Sequence, residues 1–155
     1  MKDGRMQFTL RGIASELKER QLAVPVYQRS FAWKMEQIVE LWADVEAAFD
    51  ESAPEYFLGT VVLTKQTGGA RDAVIDGQQR LATISILLAA IRDAYAKRLD
   101  TKRADIVQRE YLSKTDLQSA AEVSRLSLNS EDALFFQKRI VEMDGKTQAT
   151  AKSHE

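Results

Sequence analysis

The sequence predicts an α+β domain, a small mixed β-sheet packed by helices with one buried helix at its centre. Three observations lead there. Short strand-like segments near 22–26, 57–64, 72–75 and 125–128 are interspersed with stretches of helical period. The 45% apolar content is enough for one core in a chain of 155 residues. Finally, Ala73-Val74-Ile75 has buried-strand character and runs through Asp76-Gly77 into a long apolar helix from Leu81.

Residues 6–10 read as a short extended lead-in, and Ile13, Ala14 and Leu17 recur at helical spacing as far as Glu19. Pro25 biases Val24 towards extended geometry, so 22–26 is strand-like. If that backbone stays extended, Tyr27 and Arg29 project to one side and Gln28 to the other. Over 35–50, Ile38, Leu41, Trp42, Val45 and Phe49 form a stripe of period 3.6, with Trp42 most simply in the core. Residues 56–64 are aromatic and β-branched and read as a buried strand containing Gly59, and Gly68-Gly69 marks a hairpin turn into 72–75. Leu81, Ile84, Leu87, Leu88, Ile91 and Tyr95 then carry the central helix to about Leu99. A more polar helix is expected over 102–112. Residues 113–123 fit no single pattern. A short strand is expected at 125–128, and Asn129 reads as the cap of a helix reaching about Met143. The expected domain is 1–143, with 144–155 a tail or linker poor in apolar residues.

Composition excludes several chemistries. With 22 basic and 23 acidic side chains, net charge offers no argument for nucleic acid, and any basic site must be local. The absence of cysteine removes thiolate nucleophiles, disulfides and cysteine zinc sites. The single histidine, His154, removes histidine triads and multi-histidine metal centres. Lys2, Asp3 and Arg5 with no apolar run behind them do not make a signal peptide, so a cytoplasmic setting is expected. The longest apolar run, 84–91, is broken by Ser85 and is too short for a bilayer, so no membrane association is expected.

Chemistry is concentrated in Asp76-Gly77-Gln78-Gln79-Arg80. A strand that turns tightly on glycine and re-enters as a helix aims backbone N–H groups at one point, which suits a phosphate. The same residues also fit a capping box that needs no ligand, with Asp76 as N-cap and Gln79 reaching back. Arg80 is mildly opposed by the helix dipole, and Gln78 has no obvious structural task; an anionic ligand would account for the first. The chain contains no GxxxxGK[ST] pattern. Tyr27-Gln28-Arg29, with Phe31 and Trp33, forms a second cluster. It reads either as a stacking and phosphate-clamping surface or as a loop pinned by aromatics in the core. Arg92, Lys97, Arg98, Lys102 and Arg103 are diluted by Asp93, Asp100 and Asp105 and read as a solvated face. Glu36, Glu40, Asp44 and Glu46 lack the second cluster that a metal site needs.

Taken together and in order, Val24-Pro-Val-Tyr-Gln-Arg-Ser-Phe-Ala-Trp33, Tyr56-Phe-Leu-Gly59 and Val74-Ile-Asp-Gly-Gln-Gln-Arg-Leu-Ala-Thr83 resemble the N-terminal domain of GmrSD-type restriction endonucleases. Arg125-Leu-Ser-Leu-Asn129 and Phe135-Phe136 resemble the family's next block, so the likeness spans about 8–143. That family is ParB/sulfiredoxin-like, which implies the fold. It also implies a nucleoside-triphosphate-hydrolysing, DNA-sensing domain of a bacterial anti-phage restriction system acting on foreign or modified DNA. The alternative is a non-hydrolysing nucleotide- and DNA-binding module that regulates a separate nuclease. On the resemblance, Asp76, Gln78 and Arg80 are the catalytic candidates. Asp76 is also the candidate Mg²⁺ ligand, with Mg²⁺ entering alongside the nucleotide. Gly77, Gln79, Tyr27, Gln28 and Arg29 are the nucleotide- and phosphate-binding candidates. Cleavage in such systems is done by a C-terminal HNH-type nuclease domain or subunit. Such a centre needs histidines that this sequence lacks, so the chain is expected to be an N-terminal portion of a longer protein. Assembly into an oligomer is compatible with this reading.

Overall fold

A computed structural model describes residues 7–66, 68 and 71–142. The architecture is α+β. Helix α1 (Ile13–Glu19) leads into the two-residue strand β1 (Leu22–Ala23), and helix α2 (Met35–Asp50) follows after an irregular segment. Strands β2 (Val62–Lys65) and β3 (Asp72–Asp76) precede the long helix α3 (Gln78–Lys97). Helix α4 (Thr101–Val107) widens into a π-helical turn, Gln108–Leu112. Strands β4 (Ser113–Thr115), β5 (Glu122–Ser124) and β6 (Leu126–Ser127) follow. The described chain closes with α5 (Ala133–Phe136) and a second π-helical turn, Gln137–Val141.

Four strands form a mixed sheet in the order β2-β3-β1-β6. β1 is parallel to both β3 and β6, with Leu22 opposite Asp72 and Leu126, whereas β2 runs antiparallel to β3. Leu17, Leu22, Val24, Val74, Leu81, Ala82, Ile84, Leu126, Phe136 and Val141 form the main core. Ala89, Val107 and Leu112 form a second cluster further along α3. α3 therefore serves both clusters, as its broad apolar surface predicts.

The structure corrects several expectations. Residues 56–61 lack strand pairing; regular pairing begins at Val62, and a register irregularity separates Val62 from Leu63. The ambiguous 113–123 stretch contains the β4–β5 hairpin, with Ser113 opposite Ser124 and Thr115 opposite Glu122. Residues 7–12 have no regular structure. Residues 25–28 turn rather than extend, since Gln28 N–H donates to Pro25 O at 3.0 Å. Both helices expected near 102–112 and 129–143 end as π-turns. On α2, Ile38, Leu41 and Val45 are partly buried, but Trp42 and Phe49 of the same expected stripe are exposed. The hairpin turn at Gly69 and the tail at 144–155 lie outside the described residues.

Arg92 is the largest departure. It was expected on a solvated face, yet it is 1% exposed. Its guanidinium donates to Gln108 Oε1 at 2.7 Å, Ile140 O at 3.1 Å and Val141 O at 2.9 Å, and its Nε donates to Asp93 Oδ1 at 2.8 Å. Gln108 Nε2 donates in turn to Val141 O at 3.0 Å and Ser113 Oγ at 3.0 Å. One buried cation thus ties α3 to both π-turns, serving carbonyls that helix ends leave without partners. Arg125 plays a similar part at the hairpin, donating to Ser113 O, Lys18 O and Arg109 O, and burial pushes its pKa down. No described helix is long and apolar enough to cross a membrane.

Candidate functional site

Because β1, β3 and β6 are parallel, their carboxyl ends share one edge of the sheet. Three segments leave that edge: residues 24–33, the Asp76–Arg80 turn and residues 128–132. In open sheets with parallel strands, ligands bind beyond the carboxyl ends, where loops diverge and helix N-termini point inward.

The turn is built on glycine. Gly77 has φ +89° and is the N-cap of α3. A Cβ there would lie 2.9 Å from Val61 Cγ2 and 3.1 Å from Thr60 O. No side chain caps this end of α3, so its first-turn N–H groups are left open. The capping-box expectation is therefore corrected: Asp76 is the last residue of β3, its carboxylate is exposed, and Gln79 does not reach back. Arg80 lies across Gly59, whose φ is +101° and whose missing Cβ would fall 2.9 Å from the guanidinium carbon. Arg80 donates to Thr60 O at 3.1 Å. Residues 59–61, bare of side chain at Gly59, thus form the shelf on which Arg80 rests.

Residues 25–33 lack regular structure but are held by side chains from all sides. Gln28 Nε2 donates to Ile75 O at 2.9 Å, and Asn129 Nδ2 donates to Gln28 O at 3.0 Å. Gln79 Oε1 accepts from the N–H groups of Ala32 (2.9 Å) and Trp33 (3.3 Å), and its Nε2 donates to Ser30 O at 3.3 Å. Asp132 Oδ2 accepts from Phe31 N–H at 2.6 Å, and Glu131 accepts from Ser30 Oγ at 2.6 Å. Phe31 packs against the main core, but Tyr27 is 75% exposed, so the aromatics divide between core and surface. The Arg29 side chain is exposed and makes no hydrogen bond or ion pair among the described residues.

A cavity of about 10 Å³ lies beneath this loop, lined in part by Arg29, Gln78, Gln79, Asn129 and Asp132. That is room for about one water. Gln78 is 9% exposed, and its Oε1 has no hydrogen-bond partner among the described residues. A buried acceptor without a donor is costly and marks a place where water or a ligand completes the structure. Among the described residues there is no cluster of three acidic or histidine side chains that could hold a metal by itself. A lone exposed carboxylate at Asp76 does fit the way Mg²⁺ is held when phosphates and water supply its other ligands.

The structure therefore gathers Gln78, Gln79, Gln28 and Arg29 around one loop and cavity, and sets Gly77 and Arg80 against residues 59–61 on the other flank of the same helix tip. Sequence reasoning missed Asp132 and Glu131 altogether and took Asn129 only as a cap. An Asn-x-x-Asp spacing directly after a strand was the available signal. The model for the N-terminal domain of the GmrSD restriction endonuclease matches residues 11–154. The chain belongs to this family. The match runs through every segment of the edge just described. No curated protein matches the chain significantly.

Proposed function

We propose that this GmrSD N-terminal domain has a ParB/sulfiredoxin-like fold, binds and hydrolyses a nucleoside triphosphate, and senses foreign or modified DNA on behalf of a separate HNH-type nuclease domain or subunit. One observation carries the reading: Arg80, resting on residues 59–61, and Arg29, lining the cavity beside Gln78 and Gln79, adjoin an uncapped helix N-terminus beyond the carboxyl ends of parallel strands. Such an arrangement meets a polyphosphate with N–H donors and cations together.

In this reading the N–H groups after Gly77 hold phosphate oxygens, and Arg80 offsets charge that develops on the transferring phosphoryl group. Resting on Gly59 and Thr60 O, its guanidinium is preorganised and keeps donors to spare. Asp76 holds Mg²⁺ directly or through water; when bound, the ion neutralises phosphate charge. Gln78 offers its unpartnered oxygen to the attacking water, and Gln79 fixes the loop that presents Tyr27 and Arg29. Tyr27 stacks on a base, and Arg29 reaches the nucleotide or the DNA backbone. Phosphate release from GTP, ATP, UTP and CTP, with Mg²⁺ and with or without DNA, tests this. Arg80→Ala should lower the rate about 10²–10³-fold, as loss of a donor to developing charge does. A folded Arg80→Ala protein that turns over at the parent rate removes the catalytic assignment.

A second reading has its own support. Gln79 is committed to the loop backbone, and the Gln78 oxygen faces a water-sized cavity also lined by Arg29 and Asp132. Both amides then serve architecture, and the domain is a non-hydrolysing nucleotide and DNA sensor. Binding without turnover under every condition selects this reading.

A further inference from the structure

α2 carries two different faces. Ile38, Leu41, Val45 and Ala48 turn inward and are partly buried, with Leu41 packed against the main core. Met35, Val39, Trp42 and Phe49 are each more than half exposed, and no residue of the helix is fully buried. The outward set follows the spacing 35, 39, 42, 46, 49, alternating steps of four and three, with Glu46 at the one polar position. Steps of four and three are the seam of a helix that packs along another helix, and a single polar residue within a seam sets register. The seam is about 21 Å long at 1.5 Å per residue, close to four turns.

Charge selects the occupant. Residues 35–50 contain Glu36, Glu40, Asp44, Glu46 and Asp50 and no lysine or arginine. Among the described residues Asp44 is met only by the Tyr56 hydroxyl at 2.7 Å, and the other four carboxylates make no ion pair. A second copy of α2 would set Glu46, with Glu36 and Asp50 beside the seam, against the same carboxylates, and an anionic lipid surface would be repelled as well. Residues 143–155 offer Met143 as their one large apolar side chain and cannot fill four seam positions.

We infer that the outer face of α2 is the docking site for a basic amphipathic helix of a partner. Its apolar seam packs on Met35, Val39, Trp42 and Phe49, and a lysine or arginine lies opposite Glu46. The face begins at Met35, two residues after the loop segment ends, and docking there does not depend on nucleotide binding.

Two synthetic helical peptides of about three heptads, identical in a leucine seam and flanked by lysine in one and glutamate in the other, test this against the full chain. Titration calorimetry should show micromolar binding of the lysine peptide and none of the glutamate peptide. Glu46→Lys and the double variant Trp42→Ala/Phe49→Ala should each weaken that binding at least tenfold while keeping the parent circular dichroism. Equal binding of both peptides, absence of binding, or unchanged affinity in folded Glu46→Lys overturns the inference. So does a concentration-dependent dimer in sedimentation that Trp42→Ala converts to monomer, which would assign the face to self-association. Should the double variant fail to fold, the solvent-facing Glu46→Lys decides alone.

Discussion

Single residues here act mainly by reaching backbone that no regular element satisfies. Arg92 is the clearest case, since its donors serve three oxygens at the ends of two other segments. Arg92→Ala takes this donor from Gln108 Oε1 and Ile140 O and leaves Val141 O with Gln108 Nε2 alone, and each buried unmet group costs about 1–3 kcal/mol. We expect urea melts to show a loss of about 3 kcal/mol or more. Arg92→Met should recover little of it, because methionine restores volume but not hydrogen bonds. Gly77 acts by absence of a side chain. At φ +89°, with Val61 Cγ2 2.9 Å from where a Cβ would stand, Gly77→Ala should cost about 1–3 kcal/mol from backbone strain alone, measured in the same melts. Gly77 was recognisable in the sequence because Asp-Gly after a strand has few other uses. Arg92 was not, since an arginine among alanines and acids on a helix looks the same whether solvent or a distant carbonyl receives it.

The element that matters most is the segment 25–33, whose order is lent by its neighbours. Gln79 makes three of its hydrogen bonds. Gln79→Ala should therefore leave α3 helical but speed amide exchange at Ala32 and Trp33 at least tenfold, read by hydrogen exchange. Unchanged protection at those two amides would mean the loop is held by its other contacts. α4 is capped in a more ordinary way: Asp100 accepts from Arg103 N–H at 3.1 Å. That backbone bond first, and the Arg103 guanidinium second, hold the Asp100 carboxyl below its ordinary value of 3.8. A carboxyl whose pKa is depressed on folding adds stability above its unfolded pKa and loses it as pH falls through the folded one. Parent protein should therefore melt above Asp100→Ala at neutral pH, and the gap should close on acidification below the ordinary aspartate range.

At the scale of the molecule, the sequence made the order of the helices and of the four-stranded sheet legible, but not the β4–β5 hairpin, and left half of the site hidden. Helical period placed α1 and α2 at their observed limits, and the Asp-Gly turn located the start of α3. What escaped has a common cause. Strands of three residues, such as β4 and β5, carry no period to detect and exist only through their partners. Trp42 and Phe49 satisfied an apolar stripe without being inward, because a helix with two apolar arcs looks from sequence like one with a single broad arc. Asp132 and Glu131 entered the site through a sheet topology that brings residues about a hundred positions apart to one loop.

That topology also has a consequence in time. A chain made from its N-terminus onward completes the 25–33 segment early, yet the acceptors for Phe31 N–H and Ser30 Oγ are Asp132 and Glu131. The carbonyl that quiets Arg92 arrives later still, at Val141. On the ribosome the loop edge therefore stays unassembled while most of this domain has already been synthesised. The order in which its own residues emerge thus sets when the edge can close.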